Sequence, residues 1–244
     1  PYADETGGEG VLYYDDQKVM DFCKEANRAG LQIELHAIGD KAFDQACRAI
    51  KAALDDCPRE DHRHGIIHDC LPTPEGIEVC RDYHIQMPMQ SAFIGWKQEP
   101  DDYLEHILGH DRLEKLNPIK TFRDNDIMVS FGSDAPCTTP DPIAWMDRAV
   151  NNDNAGQAVS VQDALRMCTY NGAWAAFDEQ ERGSLEAGKI ADMAVLSENP
   201  YTVPKDKIKD IRVERLYLSG KSYESCRKSI LPMMLRGLTS RNKA

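Results

Sequence analysis

LQIELHAIGDKAFDQACRAIKAAL (31–54) is the stretch whose reading decides the fold. Leu31, Ile33 and Leu35 alternate with polar residues, the period-two pattern of a short strand that ends at His36. AIGD then turns the chain. Asp40 is suited to cap a helix running to about Leu54, with Ala42, Phe43, Ala46, Cys47, Ile50 and Leu54 on its apolar stripe. One strand, one turn and one amphipathic helix make a βα unit.

Working outward, the unit recurs. Residues 15–29 place Val19, Phe22, Cys23 and Ala26 at helical spacing, with Asp15 and Asp16 at the start and Gly30 as the stop. HGIIH (64–68) reads as a second strand ending at His68, followed by a Pro72–Pro74 turn and a helix to about Asp82. IQMPM (85–89) is a third strand. Residues 101–124 predict helix broken at Gly109 and Pro118. DIMVSF (126–131) is a fourth strand and runs into GSDAP, before helices over 142–150 and 159–177. Strands alternating with helices form a parallel sheet, because each crossover must travel back along it. Four strands are too few to close an eight-stranded barrel. The sheet is therefore either open or half of a barrel. After residue 180 the texture changes to glycine turns and strand-like runs, with Ser219-Gly220-Lys221 as a hairpin turn.

Composition narrows the function classes. Of 244 residues, 29 are Lys or Arg and 41 are Asp or Glu, a net charge of −12 that disfavours nucleic acid or an anionic membrane as partner. The one basic patch is at the end: Arg227, Lys228, Arg236, Arg241 and Lys243, against Glu224. No apolar run approaches the roughly 18 residues that span a bilayer. The first ten residues are neither basic nor apolar, unlike a signal peptide. The eight cysteines are widely spaced without a CxxC, which reads as buried free thiols in a cytoplasmic protein. The chain begins at Pro1 without an initiating Met and is read as processed or as a piece of something longer.

His36, His68 and Asp134 stand at the C-terminal ends of separate strands, which in a βα architecture face one rim, where such folds place their sites. Two imidazoles and a carboxylate suit zinc or a similar divalent metal. Asp134, where the strand breaks, is also placed to accept a proton from an attacking water; its alternative role is to cap the turn, a role Ser133 and Gly132 also fit. His62 and His64 read as surface or structural, His84 as exposed, and His106 and His110 as solvated helix residues. Cys137 reads as a small buried side chain. No GxSxG, P-loop or complete GxGxxG occurs.

LQIELHAIGDKAFD, the block ending IIHDC, VSFGSDAPCTTPDP and GSLEAGKIADMAVLSENP together resemble the amidohydrolase superfamily, within it the amidohydrolase family 3 branch, over roughly residues 11 to 223. The resemblance implies an α/β fold: the C-terminal half of a distorted (β/α)8 TIM-like barrel, strands 5–8, plus part of a composite β-sandwich. Residues 1–180 would form the barrel half, 181–223 the sandwich part and 224–244 a tail. His36, His68 and Asp134 would be metal ligands, Asp134 also the catalytic proton shuttle, and zinc, one or two ions, the cofactor. The reaction would be hydrolysis of a non-peptide carbon–nitrogen bond in a small-molecule substrate of amide or formamide type.

Two departures qualify the resemblance. No HxH occurs ahead of His36, and Ile67 stands where the family commonly has Glu. The first predicts a fragment: a chain lacking its N-terminal half, inactive alone, completed by that half as partner or self-associating as a homo-oligomer through exposed edge strands. A deaminase of the same superfamily and a degenerate half with only a structural role are the competing readings. His36-Ala37-Ile38-Gly39 carries no HxxE and favours hydrolysis over deamination. A binding protein on an open sheet, without convergence of metal ligands, is a third reading.

Overall fold

The computed structural model describes residues 1–223. The basic patch, Cys226 and the tail 224–244 lie outside the described residues. In chain order the elements are α1 (Asp16–Arg28), β1 (Glu34–Ala37), α2 (Asp40–Asp56), β2 (Gly65–His68), α3 (Pro74–Asp82), β3 (Met87–Met89), α4 (Asp101–Leu108), α5 (His110–Leu113), α6 (Ile119–Asp124), β4 (Val129–Phe131), α7 (Pro142–Val150), α8 (Val161–Cys168), α9 (Tyr170–Ala175), β5 (Met193–Leu196), β6 (Val213–Leu218) and β7 (Lys221–Ser222).

Strands β1 and β2 pair in parallel, as do β3 and β4. The pairs are joined by a parallel bridge between Gly65 and Gln86, where the amides of Ile66 and Gln86 donate to Gln86 O and His64 O at 3.0 and 2.9 Å. The spatial order is thus β1-β2-β3-β4, and the described strands do not close into a barrel. The ladder starts later than the apolar pattern of residues 31–36 suggests. The amide of Ile33 donates to the imidazole Nδ1 of His64 at 3.1 Å rather than to a strand neighbour.

Helix α1 begins as its sequence dictates: the Asp15 carboxylate accepts from the Lys18 amide at 2.9 Å, and Gly30, at φ 77°, supplies the left-handed residue that ends it. Asp40 lies inside the first turn of α2 rather than capping it; Gly39 holds the cap position and Asp40 faces the positive helix end. The predicted helix over 159–177 is two helices, because Thr169 leaves helical geometry (φ −131°, ψ −89°) and breaks it between α8 and α9.

Phe43 and Ile50 of α2, Ile66 of β2, Met87 and Met89 of β3, and Ile119 and Phe122 of α6 are almost completely buried in one core beneath the sheet. Burying side chains of this size stabilises the fold by about 1.5–3 kcal/mol each. The antiparallel sheet β5-β6-β7 carries the predicted hairpin, with Ser219 and Gly220 at φ 50° and 74°, as a type I′ turn needs. Its connections join the same core, since Ile208 and Ile211 are buried within it. Among the described residues no helix is long and apolar enough to cross a membrane. Their seven cysteines are all free, and Cys47 and Cys80 lie with sulfurs 3.5 Å apart in the core.

Candidate active site at the strand ends

The four parallel strands bring their C-terminal ends to one rim. Beyond the ladder, the amide of Asp69 donates to Ala37 O at 3.0 Å and that of Leu71 to Ile38 O at 3.2 Å, so the segments leaving β1 and β2 stay side by side. Strand register sets His36 opposite Ile67, not opposite His68. The backbone at His68 turns left-handed (φ 81°), as it does at Asp69 (φ 50°), which ends the alternation of faces. The two imidazoles consequently meet edge to face, with ring centres 4.5 Å apart.

His68 is buried and fixed from behind. Its Nδ1 lies 2.6 Å from Gln90 Oε1, which can only accept, so Nδ1 carries the proton and Nε2 keeps a free lone pair. Burial lowers the His68 pKa most; the bond to Gln90 raises it, the His36 ring lowers it and the Asp134 carboxylate raises it. His68 is therefore held toward the neutral form, with Asp134 close enough to act on its charge.

Asp134, exposed and left-handed at φ 50°, follows β4. The turn it occupies is built by other groups. Ser133 Oγ accepts from the Ala135 amide at 3.2 Å, Thr138 Oγ1 donates to Ser133 O, and the Cys137 amide donates to Asp134 O at 2.9 Å. The Asp134 carboxylate accepts no hydrogen bond among the described residues, so the capping role falls to Ser133.

The donor chemistry of His36 and His68 fits a divalent cation: two imidazoles in contact, one with its tautomer set by a neighbour. The expectation of a three-ligand zinc centre is corrected, however. Among the described residues no three His, Cys, Asp or Glu side chains are close enough together to hold a metal ion. The physical reason is that His36 and His68 share adjacent strands, whereas Asp134 sits two strands further along, on an exposed turn.

Other candidates sort clearly. His62 and His64 are structural rather than surface residues: both are buried, His62 Nε2 bonds Tyr83 O at 2.9 Å, and His64 Nε2 bonds Asn27 Oδ1 at 3.0 Å. His84 and His106 are exposed, and exposed His110 pairs with Glu105 at 3.1 Å. Cys137 is exposed, contrary to expectation, because the turn after Asp134 bulges outward. Asp69 is fully buried with both carboxyl oxygens unpartnered, and burial drives its pKa well above the usual carboxylate range. Gln90 and Phe93 were not anticipated. Gln90 follows the apolar run of β3 as His36 and His68 end theirs, a signal the sequence carried.

The fold and this rim define a chain of the amidohydrolase family, to which it belongs: the family model matches residues 1–223. This corrects the reading of the chain as a C-terminal half only, a fragment inactive alone and partnered by a missing N-terminal half. The match takes in residues 1–10, which lay outside the resemblance. The chain is 28% identical over 225 residues to the N-substituted formamide deformylase of Arthrobacter pascens, covering 86% of this chain and 40% of that protein. It is also 28% identical over 231 residues to Protein LONG AFTER FAR-RED 3 of Arabidopsis thaliana, covering 90% of this chain and 39% of that protein. The crystal structure of an uncharacterized metal-dependent hydrolase from Pyrococcus horikoshii OT3 superposes with a TM-score of 0.71 at 25% identity, over 84% of this chain and 42% of that one. The chain spans about two fifths of the length of the curated relatives it matches.

Proposed function

We propose that this rim hydrolyses a non-peptide carbon–nitrogen bond, of amide or formamide type, in a small molecule. The observation that carries the reading is the contact of His36 and His68 at adjacent strand ends, with Asp134 acting on His68. The similarity to a formamide deformylase over most of this chain supports the amide class.

In this reading His36 and His68 would hold a divalent cation. When bound, such an ion polarises a carbonyl and lowers the pKa of water. The chain's own groups do the rest. Gln90 keeps the His68 proton on Nδ1, leaving Nε2 as the donor atom. The Asp134 carboxylate, uncommitted to the turn, accepts a proton from the attacking water and returns it to the leaving nitrogen. Deamination is the weaker reading, since no acid follows His36 at the third position to protonate a ring nitrogen.

The test is hydrolysis by the purified chain of N-substituted formamides and N-acyl amines, with manganese(II) or cobalt(II) added after chelation. Cation-dependent release of formate or carboxylate, lost in His36→Ala and His68→Ala, is the expected result. Ammonia from aminopurines with no amide cleavage points to deamination. Inactivity toward every amide under all these conditions overturns the proposal.

A further inference from the structure

Beside the rim lies a cleft of about 590 Å³, formed by the segments that follow β3 and β4 together with α7. It opens next to Asp134, since Ala135, Pro136 and Cys137 line it. A run of rings connects it to the histidines: His68 to Phe93 at 6.0 Å between centres, then Phe93 to Trp96 at 5.0 Å. Trp96 lines the cleft, so the aromatic run joins the cleft to the histidines. The wall is mainly apolar, with Trp96, Pro136 and Pro140, as ligand clefts commonly are.

Arg148 of α7 is the one charged side chain lining it. Its guanidinium makes no hydrogen bond among the described residues; it has a loose ion pair with Asp153 at 3.9 Å, with both side chains about half exposed. Gly95, left-handed at φ 62°, leaves room for this pair: a Cβ there would stand 2.8 Å from Asp153 Oδ2 and 2.9 Å from Arg148 Nη1. A planar fork of donors in an apolar cleft matches a carboxylate. The rest of the molecule offers anions no general attraction, with a net charge of −12.

We infer that the substrate carries a carboxylate that binds Arg148, with its apolar body along Trp96 and its scissile carbon–nitrogen bond toward His36, His68 and Asp134. The inference rests on the hydrolase reading for the direction of the bond, but not for the anion preference of the cleft. Calorimetric titration of the chain with N-benzoylglycine and with N-benzoylglycinamide separates the two. These probes share an aromatic body and differ in a carboxylate against a carboxamide. A charge-assisted pair predicts about ten- to a hundredfold tighter binding of the acid. Arg148→Met abolishes the difference while leaving the amide unchanged, and Arg148→Lys retains part of it. Equal binding of the two probes, no binding of either, or a preference that survives Arg148→Met overturns the inference. Hydrolysis is followed in the same samples. A carboxylate preference together with inactivity toward every amide of the cation-supplemented assay sinks the hydrolase reading and keeps the cleft assignment; turnover without preference does the reverse.

Discussion

The imidazole of His68 donates through Nδ1 to Gln90 Oε1 at 2.6 Å while its other edge faces His36, so a glutamine at the end of one strand sets the free nitrogen of a histidine at the end of the next. Because Gln90 is itself buried, this bond is not in competition with water.

Gln90→Leu removes the acceptor and keeps the bulk. The account predicts a roughly 10- to 100-fold fall in kcat/KM or cation affinity, the usual effect of losing such a partner. Nitrogen NMR of the His68 ring reads the cause directly: the Nδ1–H tautomer of the wild type becomes a mixture. An unchanged tautomer shows that Gln90 does not set it.

A second prediction concerns the opposite end of the sheet. Arg63, just before β2, makes a two-pronged pair with Glu179 at 2.8 and 2.9 Å and stacks on Trp174 and Phe177, 4.7 and 4.1 Å from the ring centres. The pair is almost wholly shielded from solvent and ties the segment after α9 to the parallel sheet. Asp61 also pairs with Arg63, at 2.7 and 3.1 Å, so Glu179→Gln leaves the guanidinium one carboxylate and costs about 1.5–3 kcal/mol, the range for a hydrogen bond to a charged group. Urea unfolding measures it. A loss within about 0.5 kcal/mol, as for ordinary surface changes, shows that the pair contributes nothing net.

Acid sensitivity follows from His64. Burial pushes its pKa from 6.5 down to about 3, with His62 and Arg59 adding to the fall. The unfolded chain therefore binds a proton that the folded chain refuses between about pH 6.5 and 3. Stability from this group is unaffected above that window and falls as pH drops through it, by at most about 1.4 kcal/mol per pH unit. Unfolding midpoints across the window, compared with those of His64→Gln, check the sign. A wild-type profile no steeper than the variant's contradicts the account.

How much of this was legible in advance varies by element. The strand near His36 was legible from a period-two pattern, and those before His68 and Asp134 from short apolar runs. What the pattern could not show was the left-handed turn at His68, which alone lets its ring reach His36 across the register. The break at Thr169 was hidden because the apolar spacing continues through it. His62 and His64 carry no sign that a side chain would replace a ladder bond to Ile33. The reading of a half came from counting absent motifs, whereas the family match spans residues 1–223 of this chain.

The central claim is that Asp134 serves chemistry and not the turn. The measurement is kcat/KM for wild type and Asp134→Asn on the amide that the chain hydrolyses fastest, at matched cation content. Asparagine keeps shape and one acceptor oxygen but has almost no basicity. The account predicts a fall of about 10²- to 10⁴-fold, the range of general-base assistance, with thermal stability close to wild type. A fall below about threefold, far short of that range, contradicts it and leaves Asp134 without a part in the reaction.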